Sequence, residues 1–114
     1  MSTASMFFLE TTTPLGGSAT YTGPTRDAYG VGTAGSVSQF CYFQVVVSTN
    51  QTGTLNINAS TNGTTWSLVA TASLAATGAT TLKVPITQQF YQVVITNGST
   101  TQTALNASSA FTVA

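Results

Sequence analysis

Four charged side chains, Glu10, Arg26, Asp27 and Lys83, and no histidine are all that the sequence offers for ionic chemistry. A glycosidase needs two carboxylates facing one bond. Glu10 and Asp27 fall in different predicted elements, and Asp27 reads as bonded to Arg26, a backbone amide or water. Serine and threonine hydroxyls are abundant, but no histidine or well-placed lysine is available to activate one. Cys41 is the single cysteine, so no internal disulfide can form. It lies in an apolar run without a partner base and reads as a small buried hydrophobe. Zinc lacks its ligands and calcium its carboxylates. The expectation is a chain without catalytic residues, cofactor or metal. The remaining chemistry is stacking: Trp66 and Tyr29 could each lie against a sugar ring, although a large aromatic such as Trp66 is more often core.

The charged fraction is 4%, against about 25% in an ordinary soluble domain. The surface is therefore built from Thr, Ser, Asn, Gln and Gly. Two basic residues make no electrostatic footprint for nucleic acid. No basic amphipathic stretch points to a membrane surface. A chain near zero net charge tends to associate, which suits a homo-oligomer or a symmetric array. Met1 to Glu10 has no basic n-region and too short an apolar stretch for a signal peptide. Synthesis in the cytoplasm is the expectation.

The elements that must position these residues are strands. The period is two: Leu55, Ile57 and Ala59 alternate with Asn56 and Asn58, and Leu82, Val84 and Ile86 with Lys83 and Pro85. Strands are expected near 5–10, 18–22, 38–48, 54–60, 65–73, 80–86, 89–96 and 101–112. Pro85 cannot donate to a ladder and marks an edge or an end. Asn62-Gly63 and Asn97-Gly98 read as tight turns, and Gly78 breaks the Ala-rich stretch 70–79. Residues 23–36 read as a long loop. About eight short strands in 114 residues predict one all-β domain over 1–114, an antiparallel β-sandwich of immunoglobulin-like or jelly-roll-like order. Residues 1–13 could form an extended N-terminal arm.

Two strands are apolar on both faces. Cys41, Phe43, Val45 and Val47 form one face of theirs, and Phe40, Tyr42 and Val46 the other. Tyr91, Val93 and Ile95 are backed in the same way by Phe90 and Val94. Such strands are covered on both sides, by the domain itself or by a partner.

Four segments carry a resemblance: Gly17-Ser18-Ala19-Thr20-Tyr21-Thr22-Gly23-Pro24-Thr25-Arg26-Asp27; Phe43-Gln44-Val45-Val46-Val47 with Gln51-Thr52-Gly53-Thr54-Leu55-Asn56-Ile57; Ser60-Thr61-Asn62-Gly63-Thr64-Thr65-Trp66; and Val84-Pro85-Ile86 with Phe90-Tyr91-Gln92-Val93-Val94-Ile95-Thr96-Asn97-Gly98 and Gln102-Thr103-Ala104-Leu105. Their order resembles small β-sandwich structural proteins of tailed-bacteriophage virions. Asn62 and Gln92 stand where that group often has Asp and Arg. The resemblance implies framework and no catalysis: a capsid decoration or cement protein made in the host cytoplasm and bound to the major capsid protein or other virion proteins at the capsid surface. A tail, neck or fibre subunit, or a carbohydrate-binding module for host recognition, are the rival readings. The expected contact residues are Met6, Phe7, Phe8 and Leu9 of the arm and Phe40, Tyr42, Val46, Phe90 and Val94.

Overall fold

The computed structural model describes residues 5–28 and 41–112, with side chains from Phe7 onward in the first of these segments. It contains nine strands: β1 (Ser5–Thr11), β2 (Thr20–Thr22), β3 (Arg26–Asp27), β4 (Tyr42–Thr49), β5 (Gly53–Ser60), β6 (Ser67–Leu74), β7 (Ala79–Pro85), β8 (Phe90–Asn97) and β9 (Leu105–Thr112). One sheet has the order β1-β9-β4-β7 and the other β2-β8-β5-β6, with β3 also on β8. All pairings are antiparallel.

That order decides between the two expected topologies. With β2 and β3 taken as one interrupted strand, β1 pairs β9, β2/β3 pairs β8, β4 pairs β7 and β5 pairs β6. The chain is thus a long folded hairpin, rolled so that its successive pairs alternate between the sheets. This is the jelly roll, a double-sheet arrangement that keeps edge strands to two per sheet.

The core lies where strict alternation predicts. Phe43, Val45 and Val47 of β4 face Leu55, Ile57 and Ala59 of β5 and Tyr91, Val93 and Ile95 of β8, and all nine are buried. Leu105, Ala107 and Phe111 of β9 complete this layer. At its centre the Phe43 ring lies 5.0 Å from Phe111 and 5.3 Å from Tyr91, in tilted arrangements that suit the ring quadrupoles. The Tyr91 hydroxyl emerges at the β7–β8 turn and accepts from the Thr87 and Gln88 amides at 2.8 and 3.2 Å.

Turn chemistry fits in two places and departs in one. Gly63 and Gly78 adopt φ of +78° and +79°, the left-handed region that favours glycine. Asn97-Gly98 is not a tight hairpin. It opens the crossover from β8 in one sheet to β9 in the other, and the Asn97 amide holds that crossover by donating to the carbonyls of Gly16 (2.9 Å) and Thr100 (2.8 Å). Gln102 adds a second tie, exchanging backbone and side-chain bonds with Leu15 at 2.9 Å.

Two further expectations are corrected. Residues 5–11 form the strand expected near 5–10, in register with β9 from Ser5 opposite Thr112 to Thr11 opposite Ala107, which sets aside the alternative of an extended arm there. Cys41 precedes β4 at the end of the sandwich and is exposed, because the core layer on that strand begins only at Phe43.

Candidate functional site

The expected contact residues separate onto different faces. On the outside of the first sheet, the register aligns Phe7 with Ala110, Gln44 and Lys83, and Leu9 with Ser108, Val46 and Thr81. Phe7 and Leu9 are 74% and 65% exposed. A hollow of about 70 Å³ opens here, lined by Phe7, Gln44, Val46, Ser108, Ser109 and Ala110. Tyr42 lies on the same face, with the Lys83 ammonium 4.4 Å from its ring centroid. The surface is apolar and hydroxyl-bearing, and Lys83 is its one charge among the described residues.

Phe90 and Val94 point out of the opposite sheet, in line with Asp27 and Ser60 and with Thr22 and Asn56 respectively. Both are half-buried, and a Cβ at Gly63 would lie 3.7 Å from the Phe90 ring, so the Asn62-Gly63 turn folds over it. One flat partner cannot touch both sets. Phe8 is a correction: it alternates inward from Phe7 and packs edge-on against Phe111 at 5.8 Å. Phe40 and Tyr29, and the Met6 side chain, lie outside the described residues. Trp66 immediately precedes β6; it is half-buried and stands outside the core cluster.

The ionisable groups converge at a different place. The Glu10 carboxylate is buried between the sheets. Its Oε2 accepts from Arg26 Nε at 3.0 Å and from the Ser109 hydroxyl at 2.5 Å. Its Oε1 lies 2.9 Å from the Tyr21 hydroxyl, which also reaches the Glu10 carbonyl at 2.8 Å. The Arg26 guanidinium caps the Phe8 ring at 4.2 Å. Burial first, then the hydrogen bond to Glu10 and its charge, push the Tyr21 hydroxyl up to about 12, while Arg26 pulls the other way. A Cβ at Gly23 would fall 2.5 Å from Glu10 Oε1, so any larger residue there would have to displace the carboxylate.

This cluster clamps β1 and β9 of one sheet to β2 and β3 of the other. Arg26 is spent on Glu10, and both Asp27 oxygens accept from Gln89 Nε2 at 3.2 Å. The carboxylate is salt-bridged, sealed from solvent and tied to both sheets. Among the described residues no group of three His, Cys, Asp or Glu side chains could hold a metal ion. The sequence carried one signal of the clamp: Gly23 and Arg26 sit in the first segment of the phage resemblance. Tyr21 lies in that segment as well, and Ser109 gave no signal.

The fold and these surfaces define a class: a charge-poor jelly-roll sandwich whose polar residues brace it and whose apolar residues partly face outward. The chain belongs to the family described as the N-terminal domain of the uncharacterised protein YqxG, whose model matches residues 1–112. Among solved structures it is similar to the PBSX exported protein XepA, with 19% identity and a TM-score of 0.82, covering 96% of this chain and 37% of that one. The chain therefore spans little more than a third of that protein's length. PirA (6% identity, TM-score 0.47, covering 95% of this chain and 92% of that one) and a pilus protein of Bacillus endospore appendages (16%, 0.45, covering 99% and 87%) are more distant. No curated protein matches.

Proposed function

We propose that this chain is a non-enzymatic structural domain of a phage-type particle, folded as one unit over 1–114, that docks on a protein shell as a decoration or cement protein. The observation that carries the proposal is the outer face of the β1-β9-β4-β7 sheet, where Phe7 and Leu9 stand exposed beside Val46, Tyr42 and Ala110 in a nearly uncharged surround. Exposed aromatic and aliphatic anchors ringed by hydroxyls have the make-up of an interface core and rim. Support of a weaker kind comes from the sequence resemblance and from sharing a fold with a PBSX exported protein. Many modest contacts repeated by symmetry would bind by avidity. The partner is the major capsid protein or another virion protein, and the location is the capsid surface.

The test has two parts. The copy number of the chain in purified particles, by quantitative mass spectrometry, is expected to be a simple fraction of the shell subunit. A few dozen copies or fewer would move the domain to tail, neck or fibre, and absence from particles would overturn the virion reading. Separately, Phe7→Ser with Leu9→Ser is expected to leave stability within about 1 kcal/mol, since both side chains are exposed, while lowering occupancy on particles. Unchanged occupancy would reject this face.

A further inference from the structure

The four edge strands of the sandwich are not equally guarded. Edge strands carry unpaired amides and carbonyls that template further pairing unless charge, proline, bulges or brevity blunt them. β7 carries Lys83 and ends at Pro85. β2 and β3 are three and two residues long and are separated by Gly23-Pro24-Thr25. β1 has a bulge between Leu9 and Thr11, and Glu10 is its inward-pointing charge. β6 is eight residues long and has neither charge nor proline. Its one irregularity is the extra residue Val69 opposite the Ile57/Asn58 step. That bulge turns Leu68 and Val69 outward together, 58% and 40% exposed, and leaves Ala70–Leu74 in regular register. Apart from Phe7 and Leu9, these are the exposed large hydrophobics among the described residues. On its outer side β6 has no strand partner among the described residues.

We propose that β6 is a self-association edge, pairing antiparallel with β6 of a second copy so that the two β2-β8-β5-β6 sheets run on as one. The chemistry of the edge selects a second copy as occupant. At a two-fold contact each residue meets the neighbourhood of its own counterpart, so any charge would face its like. Residues 61–78, which comprise β6 and both flanking loops, contain no charged residue. A partner recognised by charge would need the opposite. Main-chain hydrogen bonds supply the attraction, as in other strand additions, and Leu68 and Val69 lose exposure. Two sheets joined at one edge make a small interface, so the contact is weak in solution and gains from the crowding of an array. The inference stands apart from the shell-docking reading, because it concerns the isolated chain and the other sheet.

The experiment is sedimentation velocity of the full chain over rising concentration, with reductant present to keep exposed Cys41 from cross-linking. The average mass is expected to climb toward that of a dimer. Leu68→Lys with Val69→Lys is expected to weaken dimerisation by ~10-fold or more through like-charge apposition, whereas Phe7→Lys with Leu9→Lys leaves it unchanged. Hydrogen exchange of the wild-type chain supplies a readout free of mutation: amides of 67–74 gain protection as concentration rises. A wild-type chain that stays monomeric would overturn the proposal. So would a β6 variant that associates as tightly as wild type, loss of association in the β1 variant as well, or β6 amides indifferent to concentration.

Discussion

Three groups depend on Glu10, since Arg26, Tyr21 and Ser109 all bond its carboxylate between the two sheets. Removing one member of a buried ion pair leaves the other charge desolvated and unpaired, which costs about 3 kcal/mol. Glu10→Gln is therefore expected to lower urea stability by about that much. Glu10→Leu with Arg26→Met should recover part of it, because no orphan charge remains; equal losses in both would show that the pair itself contributes little. Tyr21 adds a pH signature. Its folded-state hydroxyl titrates at about 12 against 10.0 for the free side chain. The fold thus favours the protonated form, and that stabilisation is complete below pH 10 and disappears as pH rises through about 12. Wild-type stability is expected to fall more steeply than that of Tyr21→Phe across this window. Parallel curves would mean that the raised hydroxyl contributes nothing to folding.

At the scale of elements, β1 is where the clamp and the exposed face meet. Its alternation sends Phe8 and Glu10 inward and Phe7 and Leu9 outward. Deleting residues 1–11 would strip the edge of β9, expose one side of Phe111 and leave Arg26 without its carboxylate. The truncated chain is expected to lose its sharp thermal transition in circular dichroism. A cooperative melt within a few degrees of wild type would restore the idea of a dispensable arm. The strand itself was expected near 5–10, but its two faces were not legible, because Met6-Phe7-Phe8-Leu9 is an unbroken apolar run and period two cannot be read from it. Where hydrophobic and polar residues alternate, as from Leu55 to Ala59, the strand and its inward face were legible within a residue or two. β3 was not, since two residues soon after Gly23-Pro24 carry no period. The Glu10 clamp was legible only as separate charges, because its members lie up to 99 residues apart and meet only when the roll closes.

The whole molecule has zero formal net charge, and most of its few charges are used internally. Its association should therefore differ in kind from that of proteins steered by electrostatics. Exposed ion pairs are screened within a Debye length of about 8 Å at physiological salt, so an interface built on them weakens as salt rises. The surfaces offered here are Phe7 and Leu9 on one sheet and a charge-free strand edge on the other. The strand edge has no Coulombic contribution to lose, and the sheet face has only that of Lys83. Binding to a shell partner and self-association are both expected to change less than ~3-fold between low and moderate sodium chloride. Both should strengthen in sulfate, which is excluded from protein surfaces and favours burial. The measurement is a salt series in sedimentation, with chloride and sulfate matched in ionic strength. A steep loss in chloride would show that charges beyond the described residues, or on a partner, drive assembly. A flat chloride series with a rise in sulfate is the signature that apolar contact and main-chain pairing require.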